Sequence, residues 1–161
     1  MKKVAVALCG LAFAGAGAMA QTPTATATAP AAPEERAGIV KSVRGNVQLL
    51  NAEGSMRPAR EGDAVAPIER IVTGADAAAS LVLRDGTTIV VGPSSRLDLK
   101  QFHFDSTTQD GSLLVSLLRG SLRMITGLIG KSHPDAVRVE TQTAVVGIRG
   151  TDFIVQADAQ P

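Results

Sequence analysis

The chain has 161 residues, enough for one domain, and 45% of them are apolar, enough to bury a core. Only 2% are aromatic, so a base-stacking surface for single-stranded nucleic acid has almost no material. The formal charge of +1 gives no strong field to attract phosphate backbones or anionic lipid. One cysteine excludes an internal disulfide, and one Cys with two His argues against a zinc centre. We therefore expect neither a nucleic-acid partner nor a metal.

Residues 1–20 have the pattern of a cleavable signal peptide. Two lysines open the segment, an apolar stretch covers residues 4–13, and small residues lead to an A-x-A cleavage signature at Ala18 and Ala20. The stretch is short for a membrane span and is diluted by Ala and Gly. We expect export to the periplasm or the cell exterior, loss of Cys9 with the leader, and no transmembrane segment in the mature chain.

The composition changes after this leader. Residues 21–33 read QTPTATATAPAAP, without a charge or a large apolar side chain. Such a composition cannot offset the entropy of ordering, so residues 21–37 are predicted to be a disordered linker. An O-glycosylated stalk is the alternative that the Thr and Pro content permits.

Short runs in which apolar and polar residues alternate begin at Gly38. Alternation with period two puts one set of side chains on a buried face and the other in water. Turn-forming Gly, Asn and Pro residues lie between the runs, so the pattern predicts an all-β domain over residues 38–156, followed by a tail at 157–161. Periodicity leaves a β-solenoid and a two-sheet sandwich both open. Runs of this kind occur at residues 47–49, 97–99, 102–104 and 137–140.

Two stretches allow more local predictions. The R-D-G-T sequence at residues 84–87 lies between apolar runs and predicts a β-hairpin with a type I′ turn. Residues 113–129 have a Leu spacing that would also suit an amphipathic helix. Gly120 and Gly127 interrupt it, and each costs about 1 kcal/mol relative to Ala inside a helix. We favour two strands, one on either side of Gly120.

The sequence contains no set of residues typical of an enzyme. His103 and His133 are the only histidines, and no G-x-S-x-G, phosphate-loop or H-E-x-x-H motif accompanies them. His103 alternates with two Phe residues and should face solvent if those are core, whereas His133 lies in a predicted loop. Asp105 and Asp110 lack the spacing of a calcium loop. We therefore predict no catalytic residues, no metal site and no cofactor.

The carboxy-terminal segment is the most unusual part of the chain. Gly147 and Gly150 bracket Arg149, and a predicted strand follows with Phe153 and Val155 on one face. Gly150 is expected to supply a positive-φ bend. We expect Arg149 to bond neighbouring carbonyls or a carboxylate through its planar fork, with presentation to a partner as the alternative.

At this segment the chain resembles the FecR family. The family's closing pattern is an apolar residue followed by R-G-T-x-F-x-V, and residues 148–155 read IRGTDFIV. Further matches occur in the family's order at residues 62–63, 71–74, 79–87, 93–97, 118–122 and 137–141. The resemblance identifies a set of signature residues, for which we expect a structural role. They are Asp85, Gly86, Gly147, Ile148, Arg149, Gly150, Thr151 and Phe153.

The FecR family comprises extracytoplasmic domains of sigma-factor regulators that sense iron–siderophore uptake. The resemblance implies a β-rich periplasmic module, solenoid-like in the family, that binds proteins and does not catalyse. Signalling members carry a cytoplasmic helical domain and a transmembrane helix before this module, and a further small domain after it. In this sequence a leader and a spacer stand before the module, so we expect a free-standing form. We therefore do not expect this chain to bind a sigma factor directly.

The sequence thus favours an exported, non-catalytic binding module that docks an envelope protein, for which open sheet edges would offer strand addition. The alternative is a structural protein of the cell surface associated with polysaccharide. The linker suits a domain held away from a surface, but the shortage of aromatic residues argues against strong sugar stacking.

Overall fold

The computed structural model describes residues 36–148 and 150–158. The predicted signal peptide with Ala18 and Ala20, the linker up to residue 35, and Arg149 lie outside these residues. The described part is all-β, as predicted. Its elements are β1 (Gly38–Arg44), β2 (Val47–Leu50), β3 (Met56–Pro58), β4 (Ala64–Val65), β5 (Arg70–Thr73), β6 (Ala78–Leu83), β7 (Thr88–Val91), β8 (Arg96–Phe104), β9 (Gly111–Ile125), α1 (Leu128–Ser132), a 3₁₀ turn (Pro134–Ala136), β10 (Val137–Thr141), β11 (Val145–Gly147) and β12 (Asp152–Ala157).

Alternating side chains explain why these segments form strands. In β6, Ala79, Leu81 and Leu83 are buried, whereas the residues between them are half-exposed. The same pattern holds in β5 and β7. The predicted outward position of His103 is confirmed, because its two Phe neighbours are buried and it is exposed. The buried faces contribute to one core, whose largest members include Leu49, Ile71, Leu97 and Met124.

The strands form one sheet, with the order β3-β2-β5-β8-β9-β7-β6-β1-β4. Strand β10 joins β9 in parallel and carries β11, while β12 pairs with the other end of β9. All other described pairings are antiparallel. Most neighbours are antiparallel, unlike those of a parallel β-solenoid, and the strands form one curled sheet instead of the two sheets of a sandwich.

The sheet folds along a line of chain crossings. We call the part with β1, β6, β7 and β12 the first half-sheet and the part with β2, β5, β8 and β10 the second. The connections from β1 to β2, from β5 to β6 and from β7 to β8 each pass from one half-sheet to the other, and they lie side by side. Gly74 N donates to Asn46 O at 2.9 Å, and Ser94 N donates to Gly74 O at 2.8 Å. These bonds hold neighbouring crossings together, so the sheet bends along a shared line.

Strand β9 makes the fourth crossing without interruption. The prediction of strands within residues 113–129 is confirmed up to Ile125, but there is no turn at Gly120: one strand of 15 residues bends there. Gly120 has a φ of +91°, and a Cβ at this position would overlap Ser95. Only glycine provides both the conformation and the clearance. Beyond the strand, Leu128–Ser132 forms a short helix, so the prediction of strand is wrong for residues 128–129.

The β6–β7 hairpin is present, but the predicted type I′ turn is wrong. Such a turn needs positive φ at both central residues, and here Gly86 is positive at +84° while Asp85 is not. Leu83 N donates to Thr87 O at 2.8 Å, and Gly86 N donates to Leu83 O at 3.0 Å. This is a three-residue loop, a type I turn followed by a left-handed glycine.

Candidate functional site

In the β6–β7 hairpin the signature residue Asp85 forms a buried polar cluster with Thr87. The Asp85 carboxylate is 2% exposed and accepts from Thr87 N at 3.0 Å and from Thr87 Oγ1 at 2.6 Å. A carboxylate buried in this way is tolerated only when its oxygens are bonded. The bonds also fold Asp85 back over its own turn, which explains why the turn is not type I′.

The hairpin is connected to the segment that follows β9. Gly127 N donates to Thr87 Oγ1 at 2.9 Å, and Leu128 N donates to Asp85 O at 2.8 Å. A Cβ on Gly127 would overlap the backbone of residues 85–87. The close approach of two backbones therefore requires glycine here.

The same segment also reaches the R-G-T region. Thr126 is 4% exposed; its Oγ1 donates to Gly150 O at 3.2 Å and its N–H donates to Thr151 O at 2.9 Å. Gly150 has a φ of +153°, a positive value as predicted for a bend. Residues 126–128 thus bridge the two signature regions. Sequence reasoning did not identify Thr126 or the contact between Gly127 and Thr87, because these contacts span 24 and 40 residues.

Strand β12, which follows the R-G-T region, has an open edge. It pairs antiparallel with β9, with Asp152 opposite Ile125, and has no partner on its other side within the described part of the chain. The Thr126–Thr151 bond fixes which residues face β9, because bonded residues alternate along an antiparallel ladder. The backbone groups of Asp152, Ile154 and Gln156 therefore point toward the open edge.

A groove lies between β12 and the end of β11. Its volume is about 430 Å³, and its lining includes Val146, Ile148, Phe153 and Val155. Phe153 and Val155 share one face, as predicted, and pack partly buried against the core. On the opposite face Ile154 is 67% exposed. The groove is also lined by Asp152, Ile154 and Gln156, so the open edge forms one of its walls and carries an exposed apolar side chain.

One ion pair fixes β12 on its outer face. Arg123 holds Asp152 through two bonds, Nε to Oδ1 at 3.0 Å and Nη2 to Oδ2 at 2.6 Å. The hydrogen bond from Arg123 lowers the pKa of Asp152 below its usual value, and the bond from Asp152 raises the pKa of Arg123. Asp152 is the only charged side chain among the described residues that line the groove.

The histidines and acidic residues singled out in the sequence lie elsewhere. A polar cleft of about 490 Å³ is lined by Arg84, His103 and Asp105. Thr107 N and Thr108 N donate to Asp105 and lower its pKa, as in an ordinary Asx turn. His133 Nδ1 lies 3.5 Å from Asp110 Oδ1, and both side chains are exposed. Among residues 36–148 and 150–158, no group of three or more His, Cys, Asp or Glu is placed to hold a metal ion.

The fold and this edge define a folded all-β domain in which a strand beside the signature residues has one open edge. A protein-family model described as "FecR protein" matches residues 69–161, more than half of the chain. The chain therefore belongs to the FecR family.

A solved structure described as "Cell surface anchoring domain" is similar at 25% sequence identity and a TM-score of 0.38, covering 39% of this chain and 83% of that one. No curated protein gives a significant match. In the part of the chain that the structure describes, no helix has the length and apolar character needed to cross a membrane.

Proposed function

We propose that this protein is a non-catalytic binding module of the cell envelope, which docks a protein partner by adding an extended strand to the open edge of β12. Exposed sheet edges bind other chains because their unpaired N–H and C=O groups accept a new ladder. The observation that carries the proposal is the outward direction of the backbone at Asp152, Ile154 and Gln156, beside an apolar groove.

The other edges of the described sheet are poorer templates. β3 has 3 residues and ends in Pro58, which cannot donate to a ladder, and β4 has only 2 residues. β11 has 3 residues. β12 has 6 residues and contains neither proline nor lysine, the residues that commonly block strand addition. It is therefore the edge best suited to accept a partner.

The signature residues would support this edge without contacting the partner. Asp85 holds the β6–β7 hairpin, Thr126 fixes the carbonyls of Gly150 and Thr151, and Gly127 lies between them. We propose that this partly buried series of bonds sets the angle at which β12 leaves the R-G-T region. Its role is to position the strand, which agrees with a module that binds and does not catalyse.

Membership of the FecR family and the predicted leader support an envelope location. Amino-terminal sequencing of the protein from an envelope fraction tests the export step. Cleavage after Ala20 is expected, and an intact first residue in mature protein would contradict it.

Site-specific crosslinking in growing cells tests the docking step. A photoreactive amino acid at Ile154 should form an adduct with a specific envelope protein. The matched control is Met56 on β3, which is 62% exposed and apolar but lies on a short edge with Pro58. Adducts at both positions alike, or at neither, would contradict the proposal. Retention on purified envelope polysaccharide without any protein adduct would favour the alternative of a polysaccharide-associated structural protein.

A further inference from the structure

The residues of β12 are complementary to themselves when two copies of the strand run antiparallel. We infer that the strand added to β12 is β12 of a second copy of this chain, in a two-fold symmetric pair centred on Ile154. This inference rests on the proposed function, since it requires that the edge accepts a strand.

The backbone geometry selects this centre. With Ile154 opposite itself, Asp152 lies opposite Gln156 of the partner copy, and all three outward-facing residues of each strand enter the ladder. This arrangement gives about six inter-chain hydrogen bonds, because each bonded pair exchanges two. Centring the pair on Phe153 or Val155 leaves one outward-facing residue of each strand without a partner inside β12.

The charges favour the same centre. Centring on Val155 would put Asp152 opposite Asp158 of the partner copy, and centring on Asp152 would put this acid opposite itself. Like charges directly opposite each other destabilise a strand pair. With Ile154 at the centre, each Asp152 carboxylate instead meets a Gln156 amide, which can donate to it.

The apolar side chains match as well. On the outer face the two Ile154 side chains, each 67% exposed in the single copy, cover one another. On the inner face Phe153 lies opposite Val155 of the partner copy, and Val155 opposite its Phe153. Aromatic and β-branched residues are favourable cross-strand neighbours. Both faces of the new pair therefore bury apolar surface beside the groove that includes Val146 and Ile148.

Cysteine crosslinking tests this register. In a full chain with Cys9→Ser, Ile154→Cys places two thiols on the two-fold axis, with Cα atoms about 5.5 Å apart, a distance that a disulfide spans. Gln156→Cys is the matched control, because its two Cα atoms would be about 14 Å apart. A mixture of Asp152→Cys and Gln156→Cys chains should crosslink again, since these positions face each other.

Under mild oxidation, Ile154→Cys should give a disulfide-linked dimer at a yield at least ten-fold above that of Gln156→Cys alone. The mixture of Asp152→Cys and Gln156→Cys chains should again give a high yield of dimer. Equal yields at the two positions would overturn the inference. Sedimentation of the unsubstituted chain provides a measurement that needs no variant: a reversible, concentration-dependent dimer is expected, and a monomer throughout the soluble range would overturn the inference. If the chain stays monomeric while a photoreactive group at Ile154 captures a different envelope protein, this inference fails and the proposed function stands.

Discussion

Gly127 donates its backbone N–H to the hydroxyl of Thr87 at 2.9 Å, across 40 residues of sequence. This bond joins the β6–β7 hairpin to the segment that leads to the R-G-T region. On one side of Gly127, Leu128 N donates to Asp85 O, and on the other side Thr126 Oγ1 donates to Gly150 O. The hairpin and the R-G-T region are thereby held together by bonds that are buried at Asp85, Thr87 and Gly127 and that reach the exposed Gly150 and Thr151.

Substitution of Gly127 tests this close approach. Gly127→Ala should lower the free energy of unfolding by about 3 kcal/mol, because a Cβ overlaps the backbone of residues 85–87 and that backbone must move. Urea unfolding followed by circular dichroism measures the change. Gly147→Ala is the control, since no described atom lies within 4 Å of its added Cβ. Equal losses in the two variants would contradict the arrangement.

Removal of the Asp85 carboxylate should destabilise the hairpin. Asp85→Ala leaves the N–H and hydroxyl of Thr87 buried without their acceptor, at a cost of about 1–3 kcal/mol. Asp105→Ala is a matched control, because Asp105 accepts similar backbone bonds but is exposed. Its effect on the unfolding free energy should stay within about 0.5 kcal/mol. A larger loss from Asp105→Ala than from Asp85→Ala would refute the assignment of Asp85 to a buried structural cluster.

Much of this fold follows from local pattern. Alternation of apolar and polar residues in β6 and β7 predicts which of their faces is buried. The two Phe residues on either side of His103 predict that its side chain faces outward. The turn type at Asp85 could not be predicted, because a side-chain bond to Thr87 decides it. The bend at Gly120 and the bridge through Thr126 depend on contacts with Ser95 and Gly150 that are distant in sequence. The open edge of β12 likewise depends on which strands become its neighbours, and alternation within the strand carries no information on that.

Loss of the Thr126 hydroxyl should loosen β12. Thr126→Val keeps the shape of the buried side chain but removes its bond to Gly150 O, worth about 1 kcal/mol. Amide hydrogen exchange at Phe153 and Val155, which bond β9, should become roughly five-fold faster. Thr88→Val on the outer face of β7 is the control and should leave these rates unchanged. Unchanged exchange in Thr126→Val would show that the bond does not hold the strand.

The ion pair between Arg123 and Asp152 predicts a pH dependence. Its hydrogen bond lowers the pKa of Asp152 in the folded protein below the value of about 3.9 expected in the unfolded chain. The contribution to stability is therefore present above about pH 4 and is lost as the pH falls through the lowered pKa. Titration of the Asp152 carboxyl by NMR should show the low value, and Arg123→Ala should return it toward about 3.9. A pKa of Asp152 that stays equally low in Arg123→Ala would mean that the guanidinium does not cause the shift.

The docking edge can be tested by removing one backbone donor. The N–H of Ile154 points away from β9, so Ile154→Pro should delete a donor of the open edge while leaving the β9 ladder intact. Ile154→Ala keeps the N–H and serves as the control for the lost side chain. Both variants should unfold as cooperatively as the unsubstituted chain. For the binding measurement, each variant carries a photoreactive amino acid at Gln156. We expect the adduct with the docked protein chain to disappear in Ile154→Pro and to persist in Ile154→Ala. An adduct of undiminished yield in a folded Ile154→Pro protein would contradict strand addition at β12.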